Sequence, residues 1–257
     1  MPSTNHVLKV LQSAALKAPA TMQRKRLGMP VHALVAIVSA AAKRPVASTQ
    51  DLVMLGYAIA LAVGFFFLLR PTEFCGDGAV DRGRPLSPAH MRFAARVQGT
   101  WTDTSADPTS AEVVILYLPG RKADSRGEGA MLVRWRSGHD TVCPVILLGH
   151  LHRIRLQVWP GVAREAPLFP GIGQEGFAEF CRVQCESRGL RGRASYCARI
   201  TGAEALASAL ALKIHKDTMQ QAGGWSSEEM PTQYGGYCME TTRSWSAVML
   251  QGASAIR

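Results

Sequence analysis

Acidic residues are scarce in this 257-residue chain: 19 Asp and Glu stand against 29 Lys and Arg, for a net charge of +10 and a pI near 9.7. That balance suits a polyanionic partner, nucleic acid ahead of a membrane surface. The few carboxylates form no cluster suggestive of a catalytic magnesium site, so any phosphate chemistry read here is metal-free. Paired C-x-x-C motifs are missing as well. The six cysteines, Cys75, Cys143, Cys181, Cys185, Cys197 and Cys238, are scattered through apolar stretches. A zinc site is therefore not indicated, and they read as buried thiols in a reducing, intracellular compartment. Cys181 and Cys185 stand one helical turn apart, a spacing that core packing explains better than a metal or a disulfide.

Other absences narrow the class further. No internal repeat and no low-complexity tract is present, and the first residues lack the apolar run behind a basic start that marks a signal peptide. Charge is also absent from Leu52 to Leu69, LVMLGYAIALAVGFFFLL. That stretch is just long enough to cross a bilayer. Yet Gly56 and Gly64 interrupt it, Asp51 and Arg70 close it, and no second span follows. A central helix packed on every side has the same apolar character, and that reading is preferred over a small membrane protein.

What is present builds a folded domain. With 47% hydrophobic residues, a chain of this length buries a real core. Residues 1–27 read as a short leader or the remnant of an N-terminal DNA-binding domain, and 28–257 as the main unit. Pro30 to Ala42 predicts a helix with Val31, Leu34, Val35 and Val38 on its apolar stripe, followed by a long helix from Thr49 to Leu69 that Pro71 ends. Three strands are predicted: Phe93–Gln98, Val113–Leu118 and Ala130–Trp135. A Gly-rich loop carrying Arg121 and Lys122 joins the last two. Further helices are expected from Cys143-Pro144, between Leu168 and Leu190, and over Arg199–Leu212. A shorter one ends at Gly223-Gly224. The fold class is α+β, mainly α, with a small antiparallel sheet among helices.

Five residues suggest chemistry by their type and order. In an in-line phosphoryl transfer the equatorial oxygens gain negative charge, which guanidinium groups meet with planar, always-ionised donors. Arg70 and Arg199 are the candidates for that clamp, and Glu73, one turn beyond Arg70, is the carboxylate that would hold an arginine's orientation. Lys122 on a hairpin tip could protonate a departing 5′ oxygen. Trp225 offers one indole N–H and no acceptor, which suits an anion, and the neighbouring Gly223 and Gly224 let backbone come close. Tyr234 is the nucleophile candidate. A phenol's ordinary pKa of about 10 means that it needs nearby cations. Tyr237, one turn on, is the rival.

The same residues carry a resemblance to the tyrosine recombinase, or phage integrase, family from about Pro30 to Leu250. LLRPTEF resembles the first arginine box with Arg70 and Glu73, and LPGRKADSRGEG is similar to the hairpin that presents the lysine, here Lys122. CARITGAEALA resembles the second arginine box with Arg199, GGWSS the His-or-Trp box with Trp225, and Tyr234 stands at the nucleophile's usual distance. The resemblance implies a helical catalytic domain that cleaves and rejoins duplex DNA through a covalent 3′-phosphotyrosine, without metal or small-molecule cofactor. It also implies a homotetramer on DNA and an origin in a mobile element. The family's His-x-x-Arg pattern here has Tyr196 in the histidine position; a phenol donates a hydrogen bond but does not shuttle a proton near neutral pH as imidazole does. Three readings compete with an active recombinase: a DNA-binding remnant without turnover, a type IB topoisomerase with the same chemistry, and a membrane protein anchored by Leu52 to Leu69.

Overall fold

The computed structural model describes residues 28–76, 86–118, 129–158, 164–191, 195–210 and 249–250. Helix α1 (Val31–Ala42) starts behind Pro30, whose extended backbone leaves its carbonyl to accept from Ala33 and Leu34 at 2.9 and 3.2 Å. It buries Ala33, Leu34, Ile37 and Val38, while Val31 and Val35, expected on the same stripe, are only partly covered. Helix α2 (Thr49–Phe66) is the centre of the fold. It is the one described helix long and apolar enough to span a membrane, yet two-thirds of it is buried against protein, with α1 among its neighbours. A helix apolar all round is accounted for by burial on all sides.

The prediction that this helix runs to Leu69 is corrected. It stops at Phe66, and Leu68 takes a left-handed φ of +54° while Phe67, Leu68 and Leu69 stay buried. A branched residue at positive φ is disfavoured because its Cβ crowds the following carbonyl, so surrounding packing must hold it there.

The sheet has four antiparallel strands rather than three, in the order β2-β1-β3-β4: β1 (Met91–Val97), β2 (Thr100–Asp103), β3 (Val113–Leu118) and β4 (Ala130–Trp135). The unpredicted β2 follows a two-residue turn, Gln98 and Gly99 at φ +50° and +82°, a geometry whose twist matches that of a hairpin. Alternation along the strands sends Phe93, Leu116, Leu118 and Leu132 into the main core. The opposite face carries a smaller cluster of Val113, Val133 and Trp135, with Trp101 packed edge-on against Trp135.

Helix α4 (Pro144–Val158) lies between the sheet and α2, and α5 (Gln174–Glu186) and α6 (Cys197–Leu210) complete the helical layer. All five described cysteines are buried, and Cys238 lies outside the described residues. The Cys181 thiol beside it and burial together push Cys197 far above the ordinary thiol range.

Candidate functional site

The chain leaves α2 through the buried turn Phe67-Leu68-Leu69 and emerges at Arg70, immediately before the short helix α3 (Pro71–Phe74). Proline fits the first position of a helix because its missing N–H would have no partner there. Glu73 closes this turn twice. Its backbone N–H donates to the Arg70 carbonyl at 2.9 Å, and its carboxylate accepts from the Arg70 backbone N–H at 2.6 Å. Phe74 anchors the turn from below, with ring edges against Phe169 and Phe177.

The Glu73 carboxylate also lies within ion-pair distance of both candidate arginines. Arg70 Nη1 stands 3.5 Å from Oε1 and Arg199 Nη1 stands 3.9 Å from Oε2. The Glu73 side chain is 7% exposed and that of Arg199 10%, whereas Arg70 keeps 26% open to solvent. A nearly buried cation without a carboxylate nearby would be costly, and one carboxylate stands near both guanidiniums.

Arg199 reaches this point because α6 crosses the end of α2 at unusually small residues. A Cβ on Gly64 would lie 3.3 Å from that of Ala198, and a Cβ on Gly202 would strike the Phe65 carbonyl oxygen and stand 2.6 Å from Leu68 Cδ2. Glycine at 202 therefore lets two backbones approach closer than any side chain allows. Thr201 fixes the start of α6, its hydroxyl lying 2.6 Å from the Met29 carbonyl oxygen and 2.7 Å from that of Cys197. Tyr196 is partly buried in the turn just before α6, and its carbonyl accepts from Ile200 N–H at 3.0 Å.

A residue not singled out from the sequence completes the junction. Arg134 on β4 is 1% exposed; its Nε donates to the Phe66 carbonyl at 2.6 Å, its Nη1 to the Val133 carbonyl at 2.8 Å, and its guanidinium sits 5.2 Å from the centre of the Phe67 ring. It supplies a donor to one of the last α2 carbonyls, which the helix itself cannot satisfy. Because β4 is the outgoing strand of the hairpin joined across Leu118 and Ala130, this clamp ties that hairpin to the segment leading into Arg70. Lys122 falls between those paired ends and lies outside the described residues, as do Trp225, Tyr234 and Tyr237. Among the described residues no group of three or more His, Cys, Asp or Glu is arranged to hold a metal ion.

Comparison with solved structures gives a likeness of fold. The fold is similar to that of the XerH site-specific recombinase, solved bound to its difH substrate as a pre-cleavage complex, at a TM-score of 0.49 and 15% identity. The match covers 92% of this chain and 56% of that one, so this chain spans little more than half of its length. No protein-family model matches the chain, and no curated protein does. So few shared side chains leave the chemistry to be read from this chain's own residues.

Proposed function

We propose that this chain is the catalytic domain of a tyrosine-type site-specific DNA recombinase, from a mobile element, that breaks and rejoins duplex DNA through a 3′-phosphotyrosine. The observation that supports it most is the meeting of Arg70 and Arg199, distant in sequence, on the one Glu73 carboxylate. In the proposed reaction the Tyr234 phenolate oxygen attacks the phosphorus. The new P–O bond forms as the bond to the 5′ oxygen breaks, and Lys122 gives that oxygen its proton. Arg70 and Arg199 hold the non-bridging oxygens as charge builds on them, with Tyr196 and the Trp225 indole donating further hydrogen bonds. Religation reverses the step by attack of a 5′ hydroxyl, the bond energy having been kept in the covalent intermediate. Strand exchange between two duplexes calls for a homotetramer on DNA, and the place of action is wherever that DNA is inside the cell.

A second reading, a DNA-binding remnant without turnover, is favoured by Tyr196 standing where a proton-shuttling histidine is expected. Incubation with nicked duplex substrates separates the two. The enzyme leaves a covalent protein–DNA adduct that disappears in Tyr234→Phe and persists in Tyr237→Phe. DNA binding that is steeply salt-dependent, with no adduct on any mobile-element end, leaves the remnant. Binding that does not fall with salt overturns both.

A further inference from the structure

A cavity of about 330 Å³ opens between the sheet and α4, lined by other residues than those of the arginine pair. Its size falls within the range of small-molecule sites, roughly 300–1,000 Å³. Met91 and Phe93 of β1 form an apolar wall, and Leu156, 55% exposed on α4, stands at the mouth. The lining also holds three nitrogen bases, His152 and Arg155 from α4 and Arg164 beyond it.

The cations of this cavity are placed but not neutralised. Arg155 is 4% exposed, and its guanidinium donates to the backbone carbonyls of Ala166, Pro167 and Leu168, acceptors that fix its position and bring no negative charge. Arg164 is exposed at the rim, where its carbonyl accepts from Ala89 N–H at 3.0 Å. Among the described residues neither arginine forms an ion pair. The carboxylate whose charge reaches Arg164, that of Asp103, is engaged by Ser105 N–H at 2.7 Å and is also felt by Arg92. His152 stands beside the Phe93 ring; burial disfavours its protonation, against a hydrogen bond to the Ser105 backbone, and the charges of Arg164 and Arg155 add to the effect of burial. A partly enclosed site lined both by arginines that bring surplus positive charge and by apolar side chains is complementary to an anion with an apolar body.

We propose that this cavity binds a small organic anion, a phosphate monoester or carboxylate on a body of aromatic-ring size. Arg164 and Arg155 face the anionic head, and Met91, Phe93, His152 and Leu156 cover the ring. The proposal does not depend on the recombinase reading.

Phenyl phosphate is a suitable probe, followed by NMR of the His152 ring and the Met91 methyl group. Both signals should move with one saturable midpoint. Inorganic phosphate, which lacks the ring, and phenol, which lacks the charge, should each bind about tenfold more weakly or worse. Arg164→Gln, an exposed substitution that spares the fold, should weaken phenyl phosphate by about tenfold, and Leu156→Asp should weaken it by repelling the head group. An excess of short duplex DNA should leave the midpoint in place. Still signals at millimolar phenyl phosphate, an unchanged midpoint in Arg164→Gln, or displacement by DNA would each overturn the proposal, the last by assigning these cations to a nucleic-acid backbone.

Discussion

The two ends of α2 are built on opposite plans. At the N-terminal end everything is local and exposed: Ser48 Oγ accepts from Asp51 N–H at 3.2 Å and donates to the Asp51 carboxylate at 2.7 Å, a cap contained within four residues. At the C-terminal end, beyond the local bond from Phe67 N–H to the Val63 carbonyl at 3.0 Å, the contacts are long-range and buried. Arg134 arrives from β4, Gly202 from α6, and Leu68 is held at a positive φ between them. A cap formed from near neighbours only starts a helix. A junction formed with two distant elements fixes where the chain goes next, and here it goes to Arg70.

Substitutions at the buried end should therefore cost the most. Gly202→Val forces a branched side chain into the Phe65 carbonyl, a backbone atom that cannot yield without moving the helix. It should lose more than about 3 kcal/mol of unfolding free energy in denaturant titration, or fail to fold. Arg134→Met keeps the apolar stem and removes the donor to the buried Phe66 carbonyl, and should cost about 2 kcal/mol. Ser48→Ala, at the open end, should cost the least, about 1 kcal/mol by the same titration.

Acid should distinguish the ends again. The Asp51 carboxyl is held below its ordinary 3.8, first by the Ser48 hydroxyl. A carboxyl with a depressed folded pKa contributes stability that is present above 3.8 and lost as pH falls through the folded value. The cost of Ser48→Ala should shrink over that acid window, because the ionised partner is disappearing. The cost of Arg134→Met should hold, since a guanidinium does not titrate there. Equal pH dependence of the two costs would remove the contrast between the ends.

The same contrast governs what could be read from the sequence. Local features were legible: the proline start of α1, the strands Val113–Leu118 and Ala130–Trp135, and the one-turn spacing of Arg70 and Glu73. The strand β2 is not legible although Gln98-Gly99 is a two-residue turn signal, because TWTD is short and mostly polar. Arg134 was illegible. On a strand it reads as one more alternating polar residue, and only the arrival of the α2 carbonyl at its side explains its burial. Gly202 carried a signal, a lone glycine in an Ala-rich helix, which points to close approach without saying of what. The helix end at Phe66 could not be read either, because FFFLL favours continuation and only tertiary contacts impose the turn at Leu68.

The central claim is that Arg70 and Arg199 grip one phosphate group. A double-mutant cycle with Arg70→Ala, Arg199→Ala and the pair tests it most directly, through affinity for duplex DNA at one fixed salt concentration. If both hold the same phosphate, each single variant weakens binding and the double variant loses little beyond the worse single, a coupling of about 1–3 kcal/mol. Losses that simply add, or singles that bind as well as the parent chain, would contradict a shared clamp.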